Sequence, residues 1–275
     1  MVWLAWRQLR LELILNAVLV LTLAAVFIPT GVQMRNQFER DQLTLCLSDV
    51  TATCETSFDH FQDRFEGVIG LTDWFAILPL LIGILIAAPL VLELERRSYR
   101  LAWTQSISRR HWVAVKFAMI AGGALAAGIL CALLLTWWRS PLDRISGRLD
   151  PGVFQIEGAA LASYCLFAAA LVIGIGVVLR RTVPTVVLAA VAFIVIRVIV
   201  ETWVRPHYRP SLKSDSSTLP AAHDLDWIVD RTGAIVTYQP ASRFWQFQGI
   251  EAAGFVVLSV VIMGSAGYWL IQRSE

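Results

Sequence analysis

The chain has 275 residues, of which 57% are hydrophobic and 16% charged. Soluble domains run at ~45–50% apolar and ~25% charged, and one water-facing core of this size could not hide the surplus, so a single soluble globular domain is excluded, as is a disordered chain. The net charge of +2 is the remainder of 23 basic and 21 acidic residues, which gives no bias toward nucleic acid or any other polyanion.

A bilayer core takes about 20 apolar residues per helix. Six stretches meet that requirement, at about residues 13–32, 72–92, 113–138, 158–179, 183–204 and 250–271. The expected fold is an all-α membrane protein in which residues 1–275 form one transmembrane domain with no room for a second, catalytic one. The first apolar run is too long for a signal peptide, Glu12 spoils a basic leader, and no clear cleavage site follows.

Before the first span, VWLAWRQLRLEL places Val2, Trp6, Leu9 and Leu13 at helical spacing with Arg7 and Arg10 off that face. This predicts an N-terminal helix lying in the membrane interface; the plainer alternative is the start of the span with orienting arginines. After it, Cys46 and Cys54 share the loop LCLSDVTATCE. In an oxidising exterior they would close it as a disulfide; otherwise they are two free thiols. The next segment, SFDHFQDRFEGVIG, repeats Phe58, Phe61, Phe65 and Ile69 on one helical face, with Asp59, Gln62, Asp63 and Glu66 opposite. That pattern predicts an external amphipathic helix packed on the protein.

Between the second and third spans runs ELERRSYRLAWTQSISRRHWVAVK. It has room for a short helix in which Leu101, Trp103 and Ile107 form an apolar contact set beside Thr104, Gln105, Ser106 and Ser108. Such a surface suits a protein partner, against the alternative of a purely orienting basic loop. In the fifth span Arg197 sits ~20 Å from the near end, with Glu201 one turn on. Two readings stand: a functional intramembrane charge, or an i, i+4 ion pair reaching toward the surface. The loop from Arg205 to Gly249 opens irregular and Pro- and Ser-rich, then recovers apolar residues expected to re-enter the interface before the last span.

Six spans put both termini on one side. The segments on that side carry Arg7, Arg10, Arg96, Arg97, Arg100, Arg109, Arg110, Lys116, Arg180, Arg181 and Arg273; as many basic residues are spread over opposite loops more than twice as long. Basic density in short loops makes the termini cytoplasmic and the protein a multi-pass component of the cell membrane, with the lipid bilayer as its solvent. Trp74, Trp137, Trp138, Trp203 and Trp245 mark the outer ends, and Trp3, Trp6, Trp112 and Trp269 the inner ones.

Enzyme chemistry finds little footing. Lys116 and Lys213, the only lysines, follow Val115 and Leu212, so no Gly-Lys-Ser/Thr phosphate loop exists. His60, His111, His207 and His223 lack metal-site spacing. No cofactor or metal is expected on this chain.

The segment between spans two and three resembles that of ABC-2-type transporter permeases. The match rests on Glu93, Glu95, Leu101, Thr104, Ser106, Ile107, Ser108, Arg109 and Lys116, with the late YQPASRFWQFQGIE resembling the small actinobacterial branch; Arg97-Ser98 departs where many relatives have a Gly-containing turn. The resemblance implies an N-terminal elbow helix and a coupling helix over residues 97–111. Its ATPase-coupling residues would be Glu95, Leu101, Trp103, Thr104, Gln105, Ser106, Ile107, Ser108 and Arg109. It implies two copies of a separate ATP-binding subunit carrying ATP and Mg, a second permease copy in a homodimer, and a pathway lined by the first, second and fifth spans. The expected function is export of a hydrophobic drug, antibiotic, peptide or lipid-like cargo. The rival is a membrane anchor or sensor that recruits the ATPase without moving cargo.

Overall fold

A computed structural model describes residues 2–46, 52–96, 108–215, 225–232 and 235–272. The helices are α1 (Val2–Arg40), α2 (Leu43–Cys46), α3 (Ala52–Leu71), α4 (Leu78–Glu95), α5 (Arg109–Arg139), α6 (Pro151–Phe154), α7 (Gly158–Leu179), α8 (Thr182–Ile199) and α9 (Phe244–Gln272). Among the described residues six helical segments are long and apolar enough to cross a membrane, built on α1, α4, α5, α7, α8 and α9. The protein is an all-α membrane protein in its architecture.

The order of burial follows from composition. GAALASYCLFAAALVIGIGVVL carries no charge and only Ser163 and Tyr164 as polar side chains, and a helix that is apolar on nearly every face belongs inside. Accordingly α7 is the central post, surrounded by α4, α5, α8 and α9. Close crossings depend on small residues, because without a hydrophobic drive between helices in lipid it is backbone approach that supplies packing. A Cβ on Gly83 would fall 2.5 Å from Ala168 Cβ and 2.7 Å from the Ala169 nitrogen; one on Gly128 would fall 2.8 Å from Ala162 Cα. Gly122 and Ala126 of α5 face outward, and the crossing uses Gly128.

α1 packs on α5 and α4. Phe27 meets Trp138 edge-on at 4.9 Å, Trp138 Nε1 donates to Thr30 Oγ1, and the Arg35 guanidinium stacks on Trp137 at 4.1 Å while donating to its carbonyl. Two expectations change here. The N-terminal interfacial or elbow helix is not a separate element: residues from Val2 run without a break into the first span, since no Gly, Pro or cap residue stands between them. The second span begins with a 3-10 turn over Thr72–Ile77, placed ahead of Pro79, and α4 follows. The Phe-rich helix is α3; Phe61 and Phe65 are buried, with Phe61 edge-on to Phe38 of α1 at 5.8 Å.

The loop after α8 does not re-enter as a helix. It forms a small antiparallel sheet in the order β1-β3-β2 from β1 (Leu212–Asp215), β2 (Trp227–Thr232) and β3 (Ile235–Gln239). Leu212 faces Tyr238, Trp227 faces Gln239, and a bulge interrupts β2 between Ile228 and Asp230. Buried Gln239 ties the sheet to the segment that follows α8: its Nε2 donates to the carbonyls of Pro206 and Arg209. The strands WIVDRT and IVTYQ are β-branched and aromatic but too short for a span, which is why apolar content alone pointed to the membrane.

Candidate functional site

At the end of the bundle shared by the termini, polar side chains join the starts and stops of three spans. Lys116 of α5, itself buried, pairs with Glu93 of α4 at 2.7 Å. Glu95, the last residue of α4, accepts from the backbone nitrogen of Thr182 at 2.8 Å and from its hydroxyl at 2.6 Å. A carboxylate there satisfies an orphan N–H and meets the positive end of the α8 dipole. Ser108 caps α5, its hydroxyl accepting from the His111 nitrogen, and Arg109 is the first residue of that helix, half-buried.

Glu95, Ser108 and Arg109 are therefore brought to the two flanks of one segment. The remaining coupling residues, Leu101, Trp103, Thr104, Gln105, Ser106 and Ile107, lie outside the described residues. So do the side chains of Cys46, the last residue of α2, and Cys54, the third residue of α3.

Five spans around a sixth, largely apolar central one, with the Glu95–Thr182 clasp before the 97–107 connection and the Ser108 cap after it, are a permease architecture. Residues 17–205 match the family described as ABC-2 membrane transporter related. The chain belongs to that family. No curated protein and no solved structure gives a match. The ABC-2-type permease is thus a multi-pass membrane transport subunit of the kind that associates with an ABC ATP-binding subunit. The match begins inside α1 and ends at Arg205, leaving the sheet and α9 outside it.

At its opposite end the permease buries a polar network. Arg205, with no exposed surface, forks onto Glu251 of α9: Nε donates to Oε2 at 2.9 Å and Nη2 to Oε1 at 2.8 Å. Tyr164 of α7 donates a short hydrogen bond to Glu251 Oε1, and Tyr208 donates to Oε2 at 3.1 Å. Arg197 points into the same network. Its guanidinium lies 4.0 Å over the Tyr164 ring and donates to Gln155 Oε1.

The expected Arg197–Glu201 ion pair is not formed. Among the described residues Arg197 has no carboxylate partner, and Glu201, half-buried, acts on Arg205 only through its field. The reason is the π-turn over Val200–Val204. One extra residue in the turn makes the eight steps from Arg197 to Arg205 equivalent to seven α-helical ones, ~700°, so the two arginines share a face within ~20°.

Sequence reasoning missed Tyr164, Arg205, Glu251, Gln155 and Tyr208. Arg205 counts as a loop charge when the fifth span is ended at 204, and Glu251 as a flank when the sixth starts at 250. The usable signal was the excess of charge and Tyr at the outer ends of three neighbouring apolar runs.

A second ionic group lies beside it on the 140–157 connection. Arg139 and Arg148 each approach Asp143 at 3.2 Å; Arg148 also meets Glu157 at 2.8 Å and stacks 4.0 Å over Phe244. Burial, then the Glu157 charge, push the Asp143 carboxyl up to about 8 against the pull of Arg139 and Arg148. Among the described residues no group of three His, Cys, Asp or Glu could hold a metal ion.

Proposed function

We propose that this permease is the membrane half of an ATP-driven exporter, working as a homodimer with two copies of a separate ATP-binding subunit that holds ATP and Mg. The observation that carries the reading, beyond the family, is the Glu95 clasp on Thr182 together with the Glu93–Lys116 pair. Through these contacts any force applied to residues 97–107 reaches α4, α5 and α8 at once.

Residues Leu101, Trp103 and Ile107 supply the apolar contact to the ATPase, and Thr104, Gln105, Ser106, Ser108 and Arg109 the polar one. ATP-driven closure of the ATPase pair then biases the spans between two arrangements, and cargo contributes through its different affinity for each. Cargo is a hydrophobic drug, antibiotic, peptide or lipid-like molecule, moved outward from a cytoplasm that holds both termini. The Cys46–Cys54 disulfide caps the outer loop.

Co-purification with the ATP-binding subunit, followed by ATP-dependent dye uptake into inverted vesicles, tests the reading. Retention of the ATPase and uptake are expected for the wild type, and L101A/W103A/I107A should lose both. Retention without uptake of any hydrophobic dye would favour an anchor or sensor subunit; retention undiminished in the triple variant would reject the contact surface.

A further inference from the structure

The network at the Arg205 end contains two buried guanidiniums and one buried carboxylate. Glu251 has both oxygens engaged by Arg205, Tyr164 and Tyr208. Arg205 Nη1 is buried with no hydrogen-bond partner at all. Arg197, 6% exposed, has one neutral amide oxygen and a ring face in place of a counter-charge. A buried guanidinium left without an anion carries an uncompensated desolvation penalty, and in a spanning helix such a charge marks a ligand pathway or site by default. Planar N–H forks are matched by the oxygens of a carboxylate or phosphate.

We infer that Arg197 and Arg205, set on one face by the π-turn, form a binding site for a single anionic oxygen group, a carboxylate or phosphate. Nothing in the proposed transport cycle is required for it. The ligand takes the free Nη1 of Arg205 and the Arg197 donors, and Gln155 is the placeholder it displaces. Tyr164 lies six residues into α7 and Glu251 seven into α9, which is ~10 Å from each helix end. That depth is open to two sources of the same chemistry: a free anion from solution and the phosphate of a lipid headgroup. Glu201 and Tyr208, on either side of Arg205 in the chain, are both half-buried.

The test uses the full-length permease and follows thermal unfolding by intrinsic fluorescence. One arm titrates inorganic phosphate in neutral detergent at ionic strength held constant with sodium chloride. The other compares phosphatidylcholine nanodiscs with and without phosphatidylglycerol. A saturable rise in Tm is expected in at least one arm; the phosphate arm alone would identify a free anion, the lipid arm alone a headgroup. R197Q leaves the Arg205–Glu251 fork untouched and should weaken the effect about tenfold or more, the value of a charge-assisted hydrogen bond. Q155A removes the placeholder and should tighten it, so the inference remains exposed even where R197Q fails to fold. No anion-dependent shift in either arm across the millimolar range, or equal shifts in wild type, R197Q and Q155A, would overturn it and leave water as the partner of Nη1.

Discussion

A guanidinium and a carboxylate buried together are worth little as a pair and a great deal as two halves. Removing one partner of the Arg205–Glu251 fork strands the other charge, at a cost of about 3–5 kcal/mol, whereas replacing both with apolar groups of similar size is close to neutral. We therefore expect R205M and E251M each to lower the unfolding midpoint of the solubilised protein sharply, and the double variant R205M/E251M to recover most of the loss. Equal additive losses in the double variant would mean that the pair is not coupled. The Asp143 carboxyl gives a test with a sign. Its affinity for a proton is raised from an ordinary value of 3.8 to about 8 on folding, so between those limits the folded state holds more protons than the unfolded one. Stability should fall as pH rises through that window, and D143N should flatten the slope. A pH titration of the unfolding midpoint in both proteins checks it.

Elements add geometry that no residue carries by itself. Gly83 and Gly128 are single atoms' worth of space at the crossings of α4 and α5 with α7. G83V should overpack the first of these, at about 1–3 kcal/mol, while G122V, at a position with nothing within 4 Å, should be tolerated; expression level and unfolding midpoint separate them. The π-turn is equally local. Inserting one alanine after Thr202 would add a further helical step and turn Arg205 away from Glu251 by about 100°. The insertion variant should then match R205M in its loss of stability, and an unaltered midpoint would show that the turn does not set the network. Much of the element pattern was legible beforehand. The spans at 113–138 and 158–179 fall within or on α5 and α7, because twenty consecutive apolar residues admit no other answer. The 212–239 sheet was not legible, since strands of four to six residues lack a period strong enough to compete with a hydrophobic reading.

At the scale of the whole molecule, α7 is enclosed while α1 and α8 show apolar faces outward. Leu11, Ile14, Val18 and Leu21 form one such face, and Val183, Val187, Val191, Ile194 and Val198 the other. Faces of that kind suit lipid or a second permease copy, and cross-linking of cysteines placed at Val187 and Val191 reads out the homodimer proposed above. Basic residues crowded into the short connections on the terminal side predict that the termini face the cytoplasm. A cysteine introduced at Lys213, exposed on β1, should react with an impermeant maleimide in intact cells, whereas one at Gln272, exposed at the end of α9, should react only after the membrane is opened. The reverse pattern would invert the topology.

By itself the sequence determined that this protein lives in a membrane, how many times it crosses, and which connection resembles the docking segment of a transporter. Those properties depend on composition and run length, which are additive along the chain. Only the tertiary structure decided that Arg197 turns from Glu201 toward Tyr164, that Arg205, just past the π-turn, meets Glu251 of α9, and that Glu95 closes onto Thr182. Each joins residues 33 to 87 positions apart, or hangs on one extra residue in a helical turn, and neither kind of information is local.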